Sequence, residues 1–258
     1  MRGLLVAAPA SGSGKTTVSL GLLRALARRG LAVRGAKSGP DYIDPRFHEA
    51  AAGRPCVNLD AWAMGPARLR ALAGGEGMLV VEGAMGLFDG APPDGAGSAA
   101  ELARLLGLPV VLVVDSARMA QSVGPLVAGF ARADPAVRVA GVVLNRVGSA
   151  RHHATLVRAV EREGLPVLGA LPRSGDLAHP SRHLGLVQAG ERPDLDAFLE
   201  RAADLVERHC DLGVLVAGAH GDLHPRCRRQ RQMSLRGRSA RALVAAFALL
   251  HLALRLVR

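Results

Sequence analysis

From the N-terminus to about residue 175, short unbroken apolar runs alternate with longer stretches in which apolar residues recur every three or four positions. Leu4–Ala8, Ala32–Lys37, Met78–Glu82, Val110–Asp115, Ala140–Asn145 and Val167–Ala170 are of the first kind and are predicted as strands. Lys15–Arg29 carries Leu20, Leu23 and Leu26 on one face and is predicted as a helix stopped by Gly30. Ala99–Leu106, Ser122–Ala133, Arg151–Glu163 and Asp194–His209 are predicted helices as well. Strands with no polar alternation must be covered on both faces, and helices between them supply the cover. The pattern therefore predicts an α/β fold with a doubly wound, mostly parallel sheet. In such sheets ligands gather at the carboxyl ends of the strands, so the residues that follow each strand are where chemistry is to be sought.

Composition narrows this picture. Apolar residues make up 49% of the 258, yet only seven are aromatic, so the core is built from Ala, Val and Leu. The net charge of +11 would suggest nucleic acid if it were spread over the fold. It is not: residues 1–218 carry only +3 and residues 219–258 carry +8. Nucleic acid is thus not the expected partner of the body. The region from 216 to 258 departs from the α/β pattern, being Gly/Arg-rich over Gly218–Arg241 and then apolar, and it is set apart from a domain over 1–215. Cys56, Cys210 and Cys227 form no C-x-x-C pair, which argues against a disulfide framework or a zinc knuckle. The first strand runs straight into the first motif and leaves no room for a signal peptide. Ala242–Val257 is interrupted by His251 and Arg255 and is shorter than the roughly 20 residues of a membrane span. A cytoplasmic protein with no membrane partner is expected.

The chemistry begins at Pro9-Ala10-Ser11-Gly12-Ser13-Gly14-Lys15-Thr16-Thr17, which lies between the first strand and the first helix. A Gly-containing loop at that place presents backbone N–H groups and a helix N-terminus to phosphates. Gly12, Ser13, Gly14, Lys15, Thr16 and Thr17 are the expected nucleotide contacts, with Lys15 reaching the β/γ oxygens and Thr16 offering its hydroxyl to Mg²⁺. Pro9 stands where the usual pattern has its first Gly.

The second strand ends in Lys37-Ser38-Gly39-Pro40-Asp41-Tyr42-Ile43-Asp44-Pro45, an irregular turn that brings Lys37, Asp41 and Asp44 to the same sheet edge. The third ends in Glu82-Gly83-Ala84-Met85-Gly86-Leu87-Phe88-Asp89-Gly90, where an acidic residue capping an apolar strand suits Mg²⁺. Asp89 is read as a substrate contact or a turn residue, and Asp115 as a weaker acidic candidate. Asn145 can present a donor and an acceptor to an adenine edge, or simply cap a turn. His152-His153 are adjacent, and Pro180 separates His179 from His183, so no zinc site is expected. No G-x-S-x-G elbow is present.

Taken together, the three segments beginning at Ala8, Lys37 and Val81, with Arg182-His183-Leu184-Gly185-Leu186-Val187 as a fourth, resemble the cobyrinate a,c-diamide synthase family. The resemblance covers about residues 1–215. It implies the fold of dethiobiotin synthetase-like P-loop proteins and an ATP- and Mg²⁺-dependent amidation of the a and c acetate groups of a corrin ring precursor through an acyl phosphate. Lys15, Lys37, Asp41, Asp44 and Glu82 would be catalytic; Thr16, Asp41 and Glu82 would hold the metal, with Lys37 near the γ-phosphate. Tyr42, Asp44 and Asp89 would contact the substrate, and Asn145 would contact adenine. The segment Phe47–Arg54 is most similar to aerobic-pathway members, which implies hydrogenobyrinate. Ala10 stands where partition-type ATPases have their signature lysine, and cobyric acid synthases differ over Gly39–Pro45.

Members of that family continue into a glutaminase domain that supplies ammonia from a Cys nucleophile and a His base. Cys227 lies among Arg226, Arg228 and Arg229 and does not match such a nucleophile. The resemblance then implies ammonia from a separate or lost glutaminase domain, while the Arg-rich composition of the tail suggests a frameshifted or truncated reading frame; a homodimer is a further expected partner state. The rival readings are a partition-like or regulatory P-loop switch, an Arg-tail nucleic-acid binder, and an inactive truncated synthetase.

Overall fold

The computed structural model describes residues 2–173, 189 and 194–219. In chain order the elements are β1 (Gly3–Ala7), α1 (Lys15–Arg28), β2 (Val33–Ser38), α2 (Asp44–Ala52), β3 (Val57–Leu59), α3 (Pro66–Ala73), β4 (Met78–Glu82) and α4 (Ala99–Leu106). They continue with β5 (Val110–Asp115), α5 (Val123–Arg132), β6 (Val139–Val147), α6 (Ala150–Arg162), β7 (Val167–Pro172), α7 (Leu195–His209) and α8 (Leu212–Ala219). The seven strands form one sheet in the order β3-β2-β4-β1-β5-β6-β7. Every ladder within it is parallel.

The apolar strands are buried on both sides, as their lack of alternation requires. In β1, Leu4 and Val6 join a core layer with residues of α1, α2, α7 and α8, such as Val18, Phe47, Phe198 and Leu215. Leu5 and Ala7 face the other layer, with Leu69 of α3, Leu102 of α4, Val127 of α5 and Leu156 of α6. The doubly wound α/β architecture is thus present, with a seventh, three-residue strand at one edge that the hydrophobic pattern does not reveal.

Parallel register brings the strand ends to one edge. Glu82 is level with Val6 on β1 and with Lys37 on β2, while Asp115 is level with Asn145. The sheet changes winding direction around β1, where an open α/β sheet leaves its crevice. The compact unit holding these elements runs to Gly221, and α8 crosses the division expected at residue 215. His179, His183, the Arg182–Val187 segment, Cys227 and the apolar stretch Ala242–Val257 lie outside the described residues. No helix among the described residues is long and apolar enough to cross a membrane.

Candidate functional site

The phosphate loop owes its shape to two glycines. Gly12 and Gly14 have φ of 78° and 93°, a region L side chains rarely adopt. Gly14 also has no room for a side chain, because a Cβ there would stand 2.2 Å from Asn145 Nδ2. Gly14 is the N-cap of α1 and supplies no side-chain cap, so the first N–H groups of the helix stay available for an anion. Ser13 Oγ donates to Ala10 O at 2.8 Å and braces the loop from within. The loop is also braced from outside by Asn145 Nδ2, which donates to Ser13 O at 2.9 Å. Asn145 Oδ1 accepts the Arg146 N–H at 2.9 Å, and each end of the amide keeps capacity for a second bond.

The segment after β4 folds against this loop. Leu87 N donates to Ala8 O at 2.8 Å, and a Cβ on Gly86 would meet Pro9 O at 2.6 Å. Asp89 is exposed, and its Oδ2 accepts the Gly86 N–H at 2.8 Å, which fixes the turn. Met85, with φ of 46°, offers its carbonyl oxygen to Lys15 Nζ. The phosphate-loop lysine is therefore held across the loop's mouth.

Beneath it lies a buried ionic cluster. Thr16 Oγ1 donates to Glu82 Oε1 at 2.6 Å. Lys37 Nζ lies 3.0 Å from the same oxygen and 2.6 Å from Asp44 Oδ2. His48 Nε2 is 2.8 Å from Glu82 Oε2, and its Nδ1 is 3.6 Å from Cys56 Sγ. An ionised carboxylate only accepts, so Nε2 carries a proton toward Glu82. Glu82, Lys37 and His48 expose 1%, 2% and 0% of their surface, which is tolerable only because each is paired. Burial alone would raise the Glu82 carboxyl's pKa, but Lys37, His48 and Thr16 outweigh it and hold the group well below the usual carboxylate range. Burial likewise pulls Lys37 down, and the Glu82 and Asp44 carboxylates more than reverse it, raising the ammonium above its ordinary value. The Cys56 thiol is pushed up to about 12, first by burial and then by Glu49 and Glu82.

Sequence reasoning did not single out His48 as a site residue. A usable signal was present: Asp44 and His48 are four apart, hence on one face of α2. Gly35 on β2 makes the space, since a Cβ there would come within 2.9 Å of His48 Cβ.

The remaining expected residues have separate places. Asp41 Oδ1 accepts the N–H groups of Ile43 at 2.8 Å and Asp44 at 2.9 Å, so this carboxylate starts α2. Its described hydrogen bonds do not include Thr16 or Glu82. Tyr42 is 89% exposed. Asp115 pairs with Arg146 at the carboxyl ends of β5 and β6. Of the paired histidines, His152 bonds Met119 O at 2.7 Å and accepts from Gly148 N at 3.0 Å, which gives it a structural role.

Magnesium fits Thr16 and Glu82. Their oxygens are 2.6 Å apart, near the roughly 3.0 Å between adjacent ligands on an octahedron with radius about 2.1 Å. No group of three or more His, Cys, Asp or Glu side chains arranged to hold a metal occurs among the described residues. Magnesium does not require one, since it takes one or two protein oxygens and fills its shell with water and phosphate.

Residues 4–187 match the sequence profile of the CobQ/CobB/MinD/ParA nucleotide binding domain. The chain belongs to this family. Its glycine loop, Lys15, Thr16 and Glu82 all lie within the matched residues. Among curated proteins, this family member is 60% identical over 220 residues to a hydrogenobyrinate a,c-diamide synthase of Brucella anthropi, covering 83% of this chain and 50% of that one. It is 57% identical over 227 residues to the protein of the same name from Rhodobacter capsulatus, covering 84% and 52%. The chain spans about half the length of these relatives. Among solved structures, chloroplast FtsY from Physcomitrella patens matches 84% of the chain and 64% of its own length at 16% identity, with a TM-score of 0.48.

Proposed function

We propose that the chain is the ATP-dependent amidating part of a hydrogenobyrinate a,c-diamide synthase, converting the a and c acetate carboxylates of that corrinoid to amides. The observation that carries this reading is the 60% identity to a protein of that name over 220 residues, a span long enough to take in the whole cluster around Glu82. ATP would lie with its phosphates in the loop Gly12–Thr17 and its base toward Asn145. Lys15, swinging from Met85 O, would follow the γ-phosphoryl group as it passes to the substrate carboxylate. The acyl phosphate so formed has a good leaving group, and ammonia from a glutaminase domain or partner would displace it.

Thr16 and Glu82 would hold Mg²⁺, which would neutralise charge on the phosphate oxygens. Asp41, with one oxygen used at the start of α2, would direct the other toward the same region. Lys37 would act as counter-charge, holding Glu82 and Asp44 at the edge where the phosphoryl group is transferred. Tyr42, Asp44 and Asp89 would meet the corrinoid. The test is turnover of ATP by the 258-residue chain with ammonium salt, with and without hydrogenobyrinate, followed by the mass change of the corrinoid. Corrinoid-dependent ADP release with diamide formation is expected. ATP hydrolysis that ignores the corrinoid, with no amide formed, overturns the reading and favours a switch ATPase.

A further inference from the structure

Three neighbouring strands, β3, β2 and β4, are each followed by a large apolar side chain left in solvent. These are Trp62, Tyr42 and Met85, at 71%, 89% and 47% exposure. A single exposed apolar residue is ordinary, but three at one corner of a sheet mark a surface that something covers. The segments that carry them are joined. Gly39 N donates to Leu59 O at 3.1 Å, and Asn58 Nδ2 donates to Asp41 O at 2.8 Å, tying the turn after β2 to β3. A Cβ on Gly97 would meet Trp62 Cβ at 2.5 Å, so Trp62 is pressed against the long segment after β4.

Trp62 is held rather than loosely tethered. Asp60 Oδ1 accepts its N–H at 3.0 Å and that of Ala63 at 3.1 Å, and Met64 N closes the turn on Asp60 O at 2.9 Å. The backbone of an indole fixed in this way is already ordered before anything binds, which lowers the entropic cost of a contact. The corner also has a defined neighbour, because Met85 is the residue whose carbonyl takes Lys15. Strand order separates the two sides of the phosphate loop. Asn145 lies beyond β1 toward β5 and β6, and the three apolar residues lie toward β4, β2 and β3. The nucleotide base and the phosphoryl acceptor therefore have different sides available.

We propose that Trp62 is a specificity-determining residue for the acceptor, its indole face forming with Tyr42 an apolar wall for a flat conjugated macrocycle whose rim carries the carboxylates. Stacked there, the macrocycle turns its rim toward Lys15 and Met85. The inference rests on the corrinoid reading above and extends it to a residue that reading did not use.

Trp62 is the chain's one tryptophan, so intrinsic fluorescence reports on this position alone. In the full chain with Mg-ADP, the lifetime-corrected rate of acrylamide quenching is expected to fall at least about twofold when hydrogenobyrinate saturates the site. Mg-ADP alone should leave it unchanged. Trp62→Ala should raise the hydrogenobyrinate Kd about tenfold by equilibrium dialysis, with Trp62→Phe recovering most of the loss and a fluorescent ATP analogue bound equally by all three proteins. Should hydrogenobyrinate bind the parent chain and Trp62→Ala equally, with the indole still fully open to acrylamide, this inference falls and the corrinoid reading stands. If dialysis shows no binding of hydrogenobyrinate to the parent chain, the reading itself fails and the inference goes with it.

Discussion

His48 and Lys37 hold one carboxylate from opposite sides, and they differ in what their removal leaves behind. Replacing His48 by Ala strands Glu82 Oε2 in a buried place, at a cost of about 1–3 kcal/mol. At about 2–4 °C per kcal/mol for a chain of this size, thermal unfolding should show the loss, and His48→Gln, which retains a donor, should recover part of it. Lys37→Met removes the ammonium that pairs with both Glu82 and Asp44 and should cost more, about 3–5 kcal/mol. Equal destabilisation by the two changes would mean that the lysine's charge is not what compensates Glu82. The same cluster sets the pH range of stability. The unfolded Glu82 takes a proton below its ordinary 4.5, while the folded one resists, so stability falls as pH drops through that value. Cys56 and Cys210 both rise from 9.0 to about 12, mainly through burial, and Lys37 is raised above 10.5. The folded chain therefore keeps protons that the unfolded chain sheds, and stability falls as pH climbs from 9.0 toward 12. Urea midpoints should form a plateau between these limits; a plateau that extends undiminished past pH 11 would contradict it. Much of this site was legible as residues. Glu82, Lys37, Asp44 and Thr16 stood at or just beyond strand ends, and the structure brings them together because parallel register carries strand ends to one edge. His48 was hidden because its partner lies 34 residues away on another element, a distance that no local pattern reports.

At the scale of elements, α1 and α7 pack closely and also share a row of ion pairs. Arg24, Arg28 and Arg29 face Asp196, Glu200, Asp204 and Glu207. These side chains are largely solvated, so screening leaves each pair weak. The close approach at Gly21 is different in kind, since a Cβ there would stand 2.5 Å from the Ala202 carbonyl oxygen. Gly21→Ala should therefore destabilise by about 1–3 kcal/mol through backbone displacement, despite a helix-propensity gain of about 1 kcal/mol. Arg28→Ala should produce only a small shift in midpoint that fades in high salt. The reverse ranking would make the ionic row, not the interlocked backbones, the tie between these helices. The elements that pattern did reveal were those with either a full apolar run or a clean helical period. β3 is only Val57–Leu59, too short for either. α2 starts inside the Gly-Pro turn, with Pro45 early in the helix, a signal that reads equally as the end of the turn. α8, Leu212–Ala219, is apolar on every side, so it has no period by which to recognise it.

At the largest scale, the unit that holds the site is arranged about β1, and this decides which parts of the chain the nucleotide site needs. Both core layers reach that strand, and the layer under α1 includes Leu212, Leu215 and Ala219 of α8. Composition suggests a division at 215, whereas the compact unit continues to Gly221. Ending the chain at 221 keeps every residue of the loop, the Glu82 cluster and both layers. Ending it at 211 removes α8 and uncovers apolar surface of that core layer, to which Leu4 and Val6 of β1 also belong. A ligand that binds only the folded state stabilises it by about 2.7 kcal/mol at a hundredfold excess over Kd. Thermal unfolding with and without Mg-ATP thus reads fold and site in one measurement. The chain ending at 221 is expected to keep the full chain's transition temperature and its upward shift with Mg-ATP. The chain ending at 211 is expected to melt several degrees lower with a reduced shift. If the 221 chain loses the Mg-ATP shift while its transition stays in place, residues beyond 221 contribute to the nucleotide site.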